Sequence, residues 1–214
     1  MLTVWGRRNS FNVQKVLWLV GELDLPHSHM PAGGSFGLID TPEFLAMNPH
    51  GRVPVIDDDG TVVWESHAIL RYLAARFGGE ALWPADPRTR APVDAWMEWC
   101  ATALHPALIN EVFIGFFRTA EARRDQARVA AGIARCGELL ALLDRRLADR
   151  PYMLGESLSL ADFTVGTSLY RYFNMDIARP EMPHLAAYYA RLQARPAYAT
   201  HVMVPFADLY GSLK

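Results

Sequence analysis

In the first eighty residues, hydrophobic positions recur in turn at the spacing of a strand and at the spacing of a helix, which indicates alternating strands and helices. Short apolar runs predict strands at residues 2–5, 27–30, 53–56 and 61–64. Apolar residues at helical spacing predict helices at residues 11–23, 41–49 and 66–77. The segment DDDG between the last two strands is typical of a hairpin. This part of the chain is therefore expected to be a βαβ unit followed by a helix, a hairpin and a last helix.

A proline-rich segment, LWPADPRTR, separates this pattern from one that is helical throughout. Long helical patterns follow at residues 93–117, 123–147, 160–172 and 185–195. Ser159 and Asp162 stand at the spacing of a capping box before the third of these helices. We therefore predict two domains, an α/β domain over residues 1–80 and an all-helical domain over residues 88–214.

Composition narrows the classes of function. The chain has 214 residues, of which 51% are hydrophobic, and a net charge of -2 without blocks of like charge, so nothing favours nucleic acid or an anionic membrane as a partner. Cys100 and Cys136 lie far apart and outside any CxxC, which predicts buried thiols rather than a metal site or a redox pair. The first residues lack the charged start, apolar stretch and small-residue cleavage site of a signal peptide, and no apolar run reaches about 18 residues, so we expect a soluble cytoplasmic protein.

A proline interrupts the third predicted strand. Pro54 lies between Val53 and Val55, where a strand residue would normally donate to the sheet. If the Val53–Pro54 bond is cis, the kink turns the N–H and C=O of Val53 away from the sheet, where an extended peptide can pair with them. The alternative is an edge-strand proline without a binding role.

Glu65 and Ser66 stand where the fourth strand meets the next helix. The free N–H groups of a helix N-terminus and the Ser66 hydroxyl bind carboxylates, and Glu65 attracts an amine. The pair therefore predicts a ligand with an α-amino-acid end. The alternative is that Ser66 is only an N-cap and Glu65 only a first-turn acid.

Ser10 precedes the first predicted helix and has two interpretations. Its hydroxyl caps the helix, or it points outward and donates to an anion near the helix dipole. No histidine and acid are placed to make it a triad nucleophile. Donation to a thiolate is chemically easier, because lowering a thiol pKa by about two units needs only ~2.7 kcal/mol.

In this order and spacing, the segments NSFNVQKVLW, TPEFLAMNPHGRVPVI, WESHAILRYLA and SLSLADF resemble the cytosolic glutathione S-transferases along essentially the whole chain. The resemblance is to the serine-type, theta-, phi- and delta-like bacterial group. It implies the α/β plus all-α fold class, with a thioredoxin-like glutathione-binding domain and a helical domain that carries the electrophile site and dimer contacts. It also implies a homodimer that uses glutathione as co-substrate and needs no metal or other cofactor.

The resemblance implies a role for each matching residue. Glutathione is expected to bind along Arg52, Val53, Pro54, Glu65, Ser66 and His50. Ser10 matches the serine that activates the thiolate, Asn12 is the second candidate, and Arg8 is near enough to assist. His50 and His67 replace asparagines that are common in the family, and we expect both at tolerated surface or rim positions. The extra charge of Arg7 beside Arg8 is expected to favour anionic electrophiles.

The second substrate is expected on an aromatic surface. The predicted pocket residues are Phe11, Trp99, Ala103, Leu104, Phe113 and Phe117, with Phe206 and Tyr210 closing the pocket. An aromatic surface of this kind suits flat apolar molecules. The leading hypothesis is a detoxifying transferase that conjugates the glutathione thiolate to small hydrophobic electrophiles, with glutathione-dependent peroxidase activity as a related use of the same site. The alternative is a non-catalytic scaffold of the same fold that binds ligands or partners.

Overall fold

The computed structural model describes residues 1–213, which form two compact units. The first unit comprises Met1–Ala85 and Arg195–Val204, and the second comprises Asp86–Ala194 and the segment that begins at Pro205. The change of unit falls inside the proline-rich segment that the sequence indicated as a linker. The sequence predicted two continuous domains, whereas in the structure Arg195–Val204 returns to the first unit.

A four-stranded mixed sheet forms the first unit together with its helices. The strands are β1 (Leu2–Trp5), β2 (His27–Met30), β3 (Val55–Asp58) and β4 (Thr61–Trp64), in the order β2-β1-β3-β4. β1 and β2 are parallel, and β3 is antiparallel to both β1 and β4. β3 begins two residues later than predicted, because Pro54 has no N–H to donate to the ladder.

The helices of this part of the chain agree with the sequence pattern. They are α1 (Phe11–Glu22), α2 (Pro42–Met47), α3 (Ser66–Leu73) and α4 (Gly79–Leu82), with a π-helical turn at Ala74–Gly78. α1 is the most buried of them, since Val13, Val16 and Val20 expose no surface. Even its polar residues Gln14 and Lys15 are 2% exposed, so α1 packs on several sides.

The second unit is helical throughout. α5 (Pro87–Trp99) continues through the π-helical segments Cys100–Leu104 and Pro106–Arg118, and α6 (Gln126–Arg146), α7 (Leu160–Asn174) and α8 (Pro183–Gln193) follow. Asp86 and Asp125 cap α5 and α6 with their side chains. Ser159 and Asp162 form the predicted capping box at the start of α7, which confirms that prediction.

The last helix, α9 (Pro196–His201), belongs to the first unit and packs against α1. The Tyr198 ring meets the Trp18 ring edge-on, with centroids 4.8 Å apart. The Gln14 Nε2 donates to the Val202 carbonyl oxygen at 3.4 Å. These buried contacts explain why a segment that follows α8 in sequence is part of the α/β unit.

The helical stretch at residues 87–118 is long and apolar enough, by length and composition alone, to cross a membrane. The core helix of a soluble protein can have the same length and apolar composition. Met97, Leu104, Leu108 and Val112 of this stretch expose no surface within the second unit. Its segments also pack against α6 and α7. It is therefore the core helix of this unit.

Candidate functional site

A small pocket of about 70 Å³ lies in the first unit, between α1, the loop before β3 and the start of α3. Its lining residues are Asn12, Asn48, Arg52, Val53, Pro54, Glu65 and Ser66. All of these except Asn48 were predicted from the sequence as site residues. They are separated by up to 54 positions (66 − 12) and are brought together only by the fold.

The loop that leads into β3 carries the proline. The Val53–Pro54 peptide bond is cis, which confirms the prediction. Asn48, which is 2% exposed, supports the loop: its Nδ2 donates to the Arg52 carbonyl oxygen at 2.8 Å, and its Oδ1 accepts from the His50 backbone N–H at 3.0 Å. Sequence analysis missed Asn48; the available signal was an amide side chain directly before the proline that ends α2.

His50 lies beside this loop rather than in the pocket lining. Its side chain is exposed, and its ring meets the Trp64 ring at 5.4 Å in an edge-on geometry. The loop around it is shaped by Gly51, which has φ +57°, and a Cβ there would lie 2.8 Å from the Ile39 carbonyl oxygen. His50 is therefore an exposed residue of this loop and is not among the residues that line the pocket.

Glu65 and Ser66 join β4 to α3. Glu65 has φ 69° and ψ 118°, a conformation that residues with a side chain rarely adopt. Ser66 is the first residue of α3 and is 5% exposed. The Glu65 side chain makes no cap hydrogen bond to the helix, so α3 begins at the pocket without a side-chain cap.

Ser10 occupies the N-cap position of α1 and is 8% exposed. Its hydroxyl makes no cap hydrogen bond, so the structure does not support the capping interpretation. Side chains cap α2, α5 and α6, whereas α4, α8 and α9 lack a side-chain cap as α1 and α3 do. The two helices that begin nearest the pocket residues, α1 and α3, therefore have N-termini free of side-chain caps. Ser10 itself is not among the residues that line the pocket.

Asn12 lines the pocket from the first turn of α1 and contacts a buried cation. The Lys15 Nζ donates to the Asn12 Oδ1 at 3.1 Å and lies 3.2 Å from the His67 Nε2. His67 was expected at a tolerated surface or rim position. It is instead half-buried and touches Lys15, a contact between α3 and α1 that sequence spacing does not reveal.

Arg7 and Arg8, which precede Ser10, contact different neighbours. The Arg8 Nη2 donates to the Thr200 carbonyl oxygen of α9 at 3.3 Å. Arg7 lies against the glycine loop, since a Cβ on Gly33 would be 3.2 Å from the Arg7 Nη1. Neither arginine lines the pocket.

The residues predicted for the electrophile pocket lie in different surroundings. Leu104 is completely buried and Phe113 is 4% exposed, so both serve mainly as core of the second unit. Phe117 stacks on Phe113 at 5.5 Å, and Phe206 covers both rings edge-on. Phe117, Phe113, Phe206 and Tyr210 thus form an aromatic cluster in the second unit.

The remaining three predicted pocket residues are not part of that cluster. Trp99 and Ala103 are half-buried, and the Trp99 ring pairs with the Trp96 ring at 5.2 Å. Phe11 belongs to the first unit, is 5% exposed, and lies beneath the Lys15 ammonium, 4.7 Å from its ring centroid. Within the second unit, Phe113 and Phe117 therefore belong to one ring cluster, and Trp99 pairs with Trp96.

The described residues, 1–213, contain no group of three or more histidine, cysteine or acidic side chains that could hold a metal ion. Cys100 and Cys136 are both buried and form no disulfide, as predicted. Burial, with the charge of Glu111, raises the pKa of the Cys136 thiol to about 12. A neutral, buried thiol of this kind is unsuited to nucleophilic chemistry.

Comparison with known proteins identifies the class that this fold and site define. Residues 5–81 match the family described as glutathione S-transferase, N-terminal domain, and residues 126–191 match glutathione S-transferase, C-terminal domain. The chain is 40% identical to glutathione S-transferase GstB of Escherichia coli K12, over 96% of this chain and 99% of that protein. It is 32% identical to glutathione S-transferase 4 of Zea mays, over 91% and 88% of the two chains.

A solved structure is similar along the same length. The theta class glutathione S-transferase of Xanthomonas axonopodis pv. citri, with glutathione bound, aligns with a TM-score of 0.89 and 46% identity, over 95% of this chain and 98% of that one. The chain belongs to the glutathione S-transferase family. The family, the enzyme class and the two-part fold predicted from the sequence are confirmed.

Proposed function

We propose that this member of the family binds glutathione along the pocket of the first unit and conjugates its thiolate to small hydrophobic electrophiles. The observation that carries the proposal is the convergence of Asn12, Arg52, Val53, Glu65 and Ser66 beside a cis X-Pro bond. The pocket is smaller than the roughly 300 Å³ of an ordinary ligand site, so it holds one part of the tripeptide and the rest lies along its open side.

The amino-acid end of glutathione matches the start of α3. The free N–H groups of this helix and the Ser66 hydroxyl donate to the α-carboxylate of the γ-glutamyl group, and Glu65 accepts from its amine. The backbone of Val53 pairs with the cysteinyl unit as an added strand would. Arg52, which lines the same pocket, is the cation available for the glycyl carboxylate, with His50 at the rim.

The thiolate lies near the start of α1 in this arrangement. Ser10 and Asn12 are the candidate donors, and the uncapped helix adds partial positive charge. Charge-assisted hydrogen bonds stabilise the thiolate over the thiol and so lower the thiol pKa toward neutral pH. The protein thus supplies positioning and a more ionised nucleophile. The thiolate sulfur forms a bond to the electrophilic carbon, and the leaving group on that carbon departs with its bonding electrons.

The electrophile meets aromatic residues with exposed surface. The rings of Trp99 and Phe117 and the methyl group of Ala103 are partly exposed in the second unit, whereas Leu104 and Phe113 are buried in its core. Flat apolar electrophiles fit a wall of this chemistry. The same thiolate can attack an oxygen of an organic hydroperoxide, which releases the alcohol and leaves the sulfenic acid of glutathione. A second glutathione then converts the sulfenic acid to the disulfide and water. We propose a cytoplasmic homodimer, to be tested by light scattering and by fractionation of cells that produce the protein.

Calorimetry with reduced glutathione and a conjugation assay with a chlorodinitrobenzene-type substrate test the function together. We expect saturable binding, a rise in melting temperature at millimolar glutathione, and enzymatic conjugation. A cumene hydroperoxide assay measures the peroxidase activity. Binding without either activity would favour the scaffold alternative, and the absence of binding would refute the proposed function.

A further inference from the structure

Lys15 is a buried cation directly behind the pocket. It is 2% exposed, and its Nζ lies 3.1 Å from the Asn12 Oδ1, 3.2 Å from the His67 Nε2 and 4.7 Å from the Phe11 ring centroid. Burial of an ammonium group is costly unless hydrogen bonds and favourable ring contacts compensate. A buried ammonium between α1 and α3 therefore indicates that Lys15 has a role in the site itself.

The chemistry of an ammonium group determines the orientation of both partners. A lysine ammonium has three donors and no acceptor, so the Asn12 atom beside it must be the amide oxygen. The donor end of the same planar amide, Nδ2, is then the atom that Asn12 can present to a ligand in the pocket. With Lys15 as an ammonium, the His67 Nε2 accepts from it, and this assignment places the imidazole proton on Nδ1.

We propose that Lys15 is a positioning residue for the glutathione thiolate, holding the Asn12 amide with its Nδ2 available to the sulfur. The buried positive charge also polarises the amide and so strengthens it as a donor. His67 holds the ammonium from the first turn of α3, next to Ser66, and so connects the two helix starts that face glutathione. This inference rests on the proposed function and favours Asn12 over Ser10, which does not line the pocket.

Three variants of Lys15 separate the effect of its charge from its effect on the orientation of the Asn12 amide. Lys15→Met removes both, Lys15→Gln keeps a donor for the Asn12 Oδ1 without the charge, and Lys15→Arg keeps the charge and the donors. The pKa of the bound glutathione thiol is read from its thiolate absorbance during a pH titration, and kcat/KM is measured across the same range. S-methylglutathione, which has no ionisable thiol, reports on binding alone. Arg52 and Glu65, the charged residues of the pocket lining, stay unchanged in all variants.

We expect Lys15→Met to raise the bound-thiol pKa by about one unit, which lowers kcat/KM at neutral pH about tenfold. Lys15→Gln should fall between this variant and the wild type, and Lys15→Arg should restore most of the profile. Binding of S-methylglutathione should change little. In the double variant Lys15→Met/Asn12→Ala the thiol pKa should equal that of Asn12→Ala alone, because Lys15 acts through Asn12.

An unchanged thiol titration in a folded Lys15→Met or Lys15→Gln variant would overturn the inference and leave a purely structural tie between α1 and α3. Additive shifts in the double variant would do the same. Should the variants fail to fold, a crystal structure of the wild-type complex decides: we expect the sulfur within about 3.5 Å of the Asn12 Nδ2. A sulfur that contacts Ser10 and not Asn12 overturns the inference while the proposed function stands; a wild type without glutathione binding refutes both.

Discussion

The Glu22 carboxylate at the end of α1 accepts two hydrogen bonds from the Arg195 guanidinium, at 2.8 and 2.6 Å. The Trp18 Nε1 donates to the same carboxylate at 2.9 Å. Arg195 directly precedes α9, so this ion pair joins the start of α9 to the end of α1. The Arg195 side chain is 32% exposed and the Glu22 side chain is 14% exposed. This partial burial reduces the screening of their attraction by solvent.

Arg195→Ala is expected to lower the free energy of unfolding by about 1–3 kcal/mol, because it leaves a half-buried carboxylate without its cation. Burial alone raises the pKa of Glu22, but the Arg195 and Trp18 hydrogen bonds outweigh it and hold the pKa below its usual value. The stability from this pair is therefore present above the unfolded pKa near 4.5 and is lost as pH falls through the lower folded pKa.

Urea denaturation at pH 7 and at acid pH measures both effects. Arg135→Ala is the matched control, because the Arg135–Glu138 pair is exposed on both sides and should contribute less than about 1 kcal/mol. Equal losses from the two variants would contradict the importance of the Glu22–Arg195 pair.

Gly21→Ala should destabilise the first unit, although alanine normally stabilises a helix interior by about 0.5–1 kcal/mol relative to glycine. A Cβ on Gly21 would lie 2.9 Å from the His201 Cδ2 and 3.1 Å from the Ala197 Cβ, so α9 would have to move away from α1. We expect a net loss of about 1–3 kcal/mol, measured by denaturation. Gly137→Ala in α6 is the control: the nearest atoms are 3.7 Å away, and it should stabilise. A gain at both positions would contradict the close packing of α1 and α9.

His201 should make the first unit sensitive to mild acid. Burial, followed by the charges of Arg8, His27 and His29, lowers the pKa of His201 to about 4. The unfolded chain, with the His201 pKa near 6.5, takes up this proton first, so stability is present above pH 6.5 and is lost as pH falls toward 4. Partial exposure limits the loss to about 1–2 kcal/mol.

Melting temperatures between pH 7 and pH 4.5 test this expectation. His201→Gln should flatten the profile in that window, whereas His184→Gln, at an exposed position of α8, should not. Parallel profiles for the wild type and His201→Gln would show that another group is responsible.

Glu65→Gly should separate stability from ligand binding. Glu65 has φ 69°, and relief of this strain, worth about 1–3 kcal/mol, exceeds the entropy cost of glycine. We expect an unfolding free energy that is equal or higher by about 1 kcal/mol, with glutathione affinity at least about tenfold lower through loss of the carboxylate. Asp24→Gly, at an exposed residue with φ 48°, is the control that should leave affinity unchanged. Unchanged affinity in Glu65→Gly would remove Glu65 from the proposed site.

Asp162→Ala should be the most destabilising single change in α7. Its buried carboxylate accepts hydrogen bonds from the Met153 N–H, the Ser159 N–H and hydroxyl, and the Tyr188 hydroxyl, at 2.8–2.9 Å. Loss of all four leaves buried donors unsatisfied, and we expect at least about 3 kcal/mol from chemical denaturation. Tyr188→Phe removes one of them and should cost about 1–1.5 kcal/mol; a larger loss from Tyr188→Phe than from Asp162→Ala would contradict this network.

Local signals predicted several features because their causes are local. The proline within the third strand, the helix start after Glu65 and the Ser159–Asp162 spacing each depend on residues a few positions apart. The cis bond and the capping box were therefore predictable from short segments. Asn48 was missed although its partners, His50 and Arg52, are only two and four positions away, because they lie in a loop that no helix or strand periodicity covers.

The sequence by itself determined the order of strands and helices, the two-part fold class, the family and most of the pocket residues, because periodicity, turn chemistry and short motifs act over neighbouring positions. Only the tertiary structure decided that α9 belongs to the first unit, that Ser10 makes no cap, and that Lys15 stands between Asn12 and His67. These outcomes depend on burial and on hydrogen bonds between residues far apart in the chain. Such contacts form only when the helices pack, and no local pattern specifies them.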